Sequence, residues 1–171
     1  VADDAVTLAF NAGGDISTAG DITLHSGGGN ISLDALGSMS LSLGDSVNAS
    51  GGQINITGNA VVLAGLESTA TGDAITVTSA TDILDRTGND ASAINGVITL
   101  NATSGIRGGG VTADLDVVAQ EIKVSNTTSG EVRLNSGASD TVLAHIDVAG
   151  LMLVNSTSGY ITLQENALVA A

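Results

Sequence analysis

The densest charged patch in this chain is Asp82-Ile-Leu-Asp85-Arg86-Thr-Gly-Asn-Asp90. Carboxylates beside a base are the equipment of glycan cleavage. One acid protonates the leaving oxygen and the other activates water or attacks, provided their surroundings split their pKa values. The same acids, with backbone carbonyls, have the oxygen chemistry of a Ca²⁺ site. The segment also reads as a plain polar loop closing at Gly88-Asn89, and that is the expectation here. His25 and His145 stand 120 positions apart and form a metal-ligand pair only if the fold brings them together. Each lies just beyond a predicted strand, so both are expected at exposed corners. Gly27-Gly28-Gly29-Asn30-Ile31-Ser32-Leu33-Asp34 lacks the acid of the Ca²⁺-binding nonapeptide and has no tandem copies. Neither a G-x-x-x-x-G-K-[ST] loop nor a G-x-S-x-G elbow occurs. Thr-x-Thr spacing, that of a flat hydroxyl ladder, occurs at Thr76-Val77-Thr78 and at Thr69-Ala70-Thr71, which is too little for an ice-binding face. No residue is assigned to catalysis, to a cofactor or to a metal, and the chain is expected not to be an enzyme.

The elements that would position these groups are short. Apolar-polar-apolar phrases recur as Ile22-Thr-Leu24, Ile31-Ser-Leu33, Met39-Ser-Leu41, Ile54-Asn-Ile56, Val61-Val-Leu63 and Ile75-Thr-Val77. They continue as Ile98-Thr-Leu100, Ile122-Lys-Val124, Val132-Arg-Leu134, Met152-Leu-Val154 and Ile161-Thr-Leu163. Alternation of period two puts the outer residues on one side of a strand and the middle residue on the other. The wider gaps, as from Val61 to Ile75, read as one weak phrase skipped. Three phrases then make a unit of roughly 20–30 residues, within the range of solenoid repeats.

Between phrases lie corners built on glycine. Asn126-Thr-Thr-Ser-Gly130 returns as Asn155-Ser-Thr-Ser-Gly159, and its start as Asn101-Ala-Thr-Ser-Gly105. Gly37, Gly58, Ala80, Gly105, Gly130 and Gly159 follow one another in steps of 21, 22, 25, 25 and 29 along the chain. This predicts one corner per unit, with loops that lengthen toward the C-terminus. A sandwich of hairpins has no need of a recurring corner, whereas stacked coils do. The expected fold is therefore all-β, a right-handed parallel β-helix of about seven coils forming one domain over residues 1–171. Handedness follows the general preference of parallel crossovers. Asn-x-Ser/Thr at Asn48, Asn55, Asn101, Asn126 and Asn155 then comes from the corners and strands rather than from glycan attachment.

Composition agrees. Of 171 residues, 43% are hydrophobic and 1% aromatic, so the core must be Ile, Val, Leu and Ala. With 23 glycines and no proline, turns fall to residues that tolerate positive φ. The absence of cysteine excludes disulfides and thiolate metal sites. A formal charge of −14 repels phosphate backbones and anionic lipid, so nucleic acid and membrane are not expected partners. The start Val1-Ala2-Asp3-Asp4 has no signal-peptide features, and the apolar runs are too short to span a bilayer.

Asn-x-Thr-Ser-Gly followed by an apolar strand resembles the repeats of very large bacterial surface proteins, of the filamentous-haemagglutinin and giant-adhesin kind. Ala80-Thr-Asp-Ile83-Leu-Asp85, Gly96-Val-Ile-Thr-Leu-Asn-Ala-Thr-Ser-Gly-Ile106 and Leu115-Asp-Val117 running into Ser125-Asn-Thr-Thr-Ser-Gly130 carry the likeness, most strongly over residues 72–168. The resemblance implies a right-handed β-helix secreted to the bacterial cell surface, although no secretion-targeting segment is evident. The expected role is a structural length of extracellular stalk or filament. Its partners would be flanking repeats or further copies end to end, and a host or matrix glycan or protein. The alternative is a carbohydrate-active or glycan-binding β-helix using acidic loops; a third possibility is a module that binds glycan or protein through longer C-terminal loops such as Asn135–Thr141.

Overall fold

The computed structural model describes residues 5–86, 91–109, 113–137, 140–165 and 167–168. They form a parallel β-solenoid with three faces and, among the described residues, no helix. Face A stacks β1 (Leu8–Ala12), β4 (Ile31–Ala35), β7 (Ile54–Gly58), β10 (Gly72–Ser79), the second half of β12 (Ala91–Ala102), the second half of β14 (Leu115–Asn126), β16 (Thr141–Val148) and β18 (Ile161–Leu163). Face B stacks β2 (Ile16–Ser17), β5 (Met39–Ser40), β8 (Val61–Leu63), β11 (Asp82–Asp85), β13 (Gly105–Gly108), β15 (Val132–Asn135) and β17 (Met152–Asn155). Face C stacks β3 (Thr23–His25), β6 (Ser46–Ser50), β9 (Gly65–Ser68), residues 91–93 of β12 and residues 117–119 of β14, while Leu115 and Asp116 at the start of β14 pair with β15 on face B. Each of the phrases read in the sequence overlaps a strand, and the skipped phrase between Val61 and Ile75 is β9.

Register follows the aliphatic side chains. On face A, Leu8, Ile31, Ile54, Ile75, Ile98, Ile122, Leu143 and Leu163 are successive partners. On face B, Met39, Val61, Ile83, Ile106, Val132 and Met152 align in the same way. Ile31, Ile54, Ile75, Ile98 and Ile122 are fully buried, as are Met39, Val61, Ile83, Ile106 and Val132. Face C contributes Val47, Leu66, Ala91 and Val117. Each coil thus buries a ring of aliphatics on the ring below. At about 25 cal/mol per Å² of apolar area this burial outweighs any surface charge pair.

The solenoid has about six turns, close to the seven expected. Three other expectations need correction. The coils do not lengthen toward the C-terminus: along face A the step from Ile98 to Ile122 is 24, and the two that follow, to Leu143 and Leu163, are 21 and 20. Gly159 does not belong to the corner series. Gly37, Gly58, Ala80, Gly105 and Gly130 all mark the passage from face A to face B, Gly58 as the last residue of β7 and Gly105 as the first of β13, but Gly159 follows β17 and leads into β18, the passage from B to A. The counterpart of Gly130 is Gly150, where an added Cβ would overlap the Gly130 carbonyl oxygen.

The pentapeptide copies also differ in register, which is the third correction. Asn101 pairs with Ser125, one residue short of Asn126. Asn101 therefore points outward, while Asn126 is fully buried and donates its amide to the Ser129 carbonyl (2.9 Å). Asn155 is exposed and donates to Asp114 Oδ2 (2.6 Å). One local sequence thus serves three positions, each fitted by its neighbours in the coil beneath. Burial removes Asn126 from reach of a glycosylating enzyme.

Candidate functional site

The Asp82–Arg86 segment is not the expected loop. Residues 82–85 are strand β11, in which Ile83 and Asp85 are buried while Asp82 and Leu84 are half-buried. Strand parity sends Asp82 and Asp85 to opposite sides of the sheet, so the fold does not bring these two carboxylates together. Asp90 lies outside the described residues. Arg86 is exposed and reaches back two coils to donate to Ser40 Oγ (3.3 Å). Beside it runs a groove of about 350 Å³ lined by Leu43, Val62, Leu84, Asp85, Arg86 and Gly109.

The histidines are likewise kept apart. His25 ends β3 on face C, with Nε2 3.1 Å from Ser50 Oγ. His145 sits within β16 on face A, where it pairs with Lys123 after a register shift. Among the described residues no three His, Cys, Asp or Glu side chains gather closely enough to hold a metal ion. The loop expected over Asn135–Thr141 is bounded tightly by strands: Asn135 closes β15 and Thr141 opens β16.

What the acidic side chains do most visibly is tie coils together. Asp45 is buried at the corner between faces B and C. It accepts from Thr18 Oγ1, from the Ile22 N–H (2.8 Å) and from the Ser42 N–H (2.6 Å), joining the first coil to the second. Burial alone would push its pKa up. Hydrogen bonds from Thr18, Ile22 and Ser42, with the Arg86 charge, overcome this and hold it below the ordinary value. Asp15 accepts the Ser38 N–H (2.7 Å) and Asp140 the Tyr160 N–H (2.8 Å) in the same way, each across one coil. Along face B, Asp114 takes Arg133 Nε (3.1 Å) and Asn155, while Asp116 takes Asn135 Nδ2 (2.7 Å). Sequence reasoning misses these roles. The available signal is an Asp near a turn glycine, as in Ser42-Leu43-Gly44-Asp45, which has many other uses.

A second cavity, of about 430 Å³, opens at the passage from face C to face A, between Thr71 and Asp140. No family model, curated protein or solved structure matches this chain.

Proposed function

We propose that this chain is a structural, non-enzymatic module, a length of stalk or filament in a secreted bacterial surface protein of the adhesin type. The observation that carries the reading is the aliphatic register of face A, which runs unbroken from β1 to β18. Among the described residues, β1 pairs with β4 and β18 with β16, and the other edge of each stays open. The inward-facing side chains there are partly uncovered: Phe10 is 45% exposed and Leu163 58%. Open edges of this kind are completed by another coil, from flanking repeats or from a further copy. The charge of −14 supports a solvated exterior and argues against nucleic acid or anionic lipid as partners.

Electron microscopy and sedimentation of the isolated chain across a concentration series test this. The expected result is rods of constant width that lengthen in steps of about 30 Å per copy, given about 4.8 Å per coil. A monomer at every concentration, or turnover of an acidic polysaccharide by the purified chain, would contradict it.

A further inference from the structure

We propose that the passage from face C to face A holds a binding site for one unit of a neutral oligosaccharide. This goes beyond the stalk reading and does not depend on it. Two departures from the regular coil create the cavity. The first is a shortened passage in β14: Ala93 pairs with Ala119 and Val97 with Glu121, so Gln120 alone stands where β12 has Ile94-Asn95-Gly96. The longer passage in β12 requires glycine at position 96, since a Cβ there would lie 2.5 Å from the Ala70 carbonyl oxygen. The second departure is the loss of a face C strand in the next coil, where β15 passes to β16 with none between them among the described residues. Nor, among those residues, does a strand pair with Val117–Ala119 on the far side from β12.

The cavity's volume of about 430 Å³ lies within the usual range for small-ligand sites. Its apolar lining residues are Val118, Ala119 and Ile94, the last 63% exposed. Its polar lining residues are Asn95, Gln120, Asp140 and Thr71, which carry amide, carboxylate and hydroxyl groups. The Tyr160 N–H holds Asp140 Oδ1 at 2.8 Å and so fixes that carboxylate in place. A sugar ring offers a matching pair of surfaces: C–H groups for Ile94 and Val118, and hydroxyls that both donate and accept for the amides and the acid. Among the described residues no basic side chain lines the cavity, and Lys123 nearby is engaged by Asp73 (3.6 Å) and Glu121 (3.5 Å). An anionic glycan therefore meets Asp140 with nothing to offset the repulsion, which selects a neutral one.

Calorimetric titration of the full chain with neutral gluco-, galacto- and manno-oligosaccharides, and with an acidic uronate oligomer, tests the assignment. Saturable binding of at least one neutral sugar is expected, with none of the uronate. Asn95→Ala and Gln120→Ala should each weaken it about tenfold, the loss of one or two hydrogen bonds. Both residues are exposed, so the melting temperature should stay unchanged. The proposal is overturned if no neutral sugar binds saturably, if the uronate binds better, or if both variants bind as the parent does. None of these outcomes bears on whether the coils form a stalk.

Discussion

Replacing Ile98 by aspartate is expected to lower the melting midpoint by about 10 °C or more. Ile98 is fully buried on face A, with Ile75 in the coil below and Ile122 in the coil above. A carboxyl group placed there has only aliphatic neighbours in the stack. Stranding a polar group costs several kcal/mol, and the lost apolar contacts add to it. For a chain of this size, each kcal/mol corresponds to roughly 2–4 °C. Coils in a solenoid depend on their nearest neighbours, so the loss should spread to both adjoining windings. Thr99→Asp supplies the comparison, because residue 99 faces outward on the same strand. It should cost less than about 1 kcal/mol, as surface substitutions generally do. Thermal melts of the two variants read strand parity directly. Equal midpoints would mean that the inward assignment of Ile98 is wrong.

The second large effect is expected at Gly130. Its φ is +88°, a conformation that L side chains rarely adopt. A Cβ there would overlap the Ser104 carbonyl oxygen, a backbone atom of the coil beneath. Alanine at this position must therefore separate two coils as well as accept an unfavourable backbone. Gly20 isolates the backbone contribution: its φ is +90°, yet nothing stands within 4 Å of an added Cβ. Gly20→Ala should cost about 1 kcal/mol, the ordinary penalty of the left-handed region. Gly130→Ala should cost about 3 kcal/mol or more, since coil contact adds to that penalty. Denaturant titration of both variants checks the difference. Equal losses would show that Gly130 is needed only for its φ, and that Ser104 can give way.

The fold was legible because its core repeats in a simple way. Phrases such as Ile54-Asn-Ile56 and Ile98-Thr-Leu100 carry strand parity in a few letters, and their inward members stack on one another. The weaker strands were harder to read. In β9, Gly65-Leu-Glu-Ser68, a buried serine takes an inward position that pattern reading reserves for an aliphatic; Ser68 donates instead to the Gly52 carbonyl (2.6 Å). Corner register was not legible either. Asn101, Asn126 and Asn155 share a pentapeptide, yet one points outward, one is buried and one reaches Asp114. Their environments are set by how much chain the preceding coil spends on each face, which no local pattern records.

The same reason hid the cavity near Gln120. It arises where Ile94-Asn95-Gly96 opposes a single residue across a parallel pair, and where the following coil omits a strand among its described residues. Neither leaves a mark in composition or spacing. Conversely, the acid-rich run at Asp82–Asp85 was conspicuous in sequence, but strand geometry sends its two acids to opposite sides. Charge density along a chain says little about convergence in space when successive side chains alternate. Asp45, which stands apart from any acidic run, accepts from Thr18, Ile22 and Ser42 and ties two coils together.

In-register stacking of the windings is most directly tested by pairs of introduced cysteines, since the chain has none of its own. Thr76 and Thr99 are register partners on the outer side of face A. Partners in adjacent strands lie about 4.8 Å apart, within disulfide reach. Thr76 and Asn101, offset by two positions, would be about 8 Å apart and beyond it. Mild oxidation of the monomer should close Thr76→Cys/Thr99→Cys nearly completely and leave Thr76→Cys/Asn101→Cys reduced. Closure of the offset pair in preference to the aligned one, or of neither, would contradict the stacking of one coil upon the next.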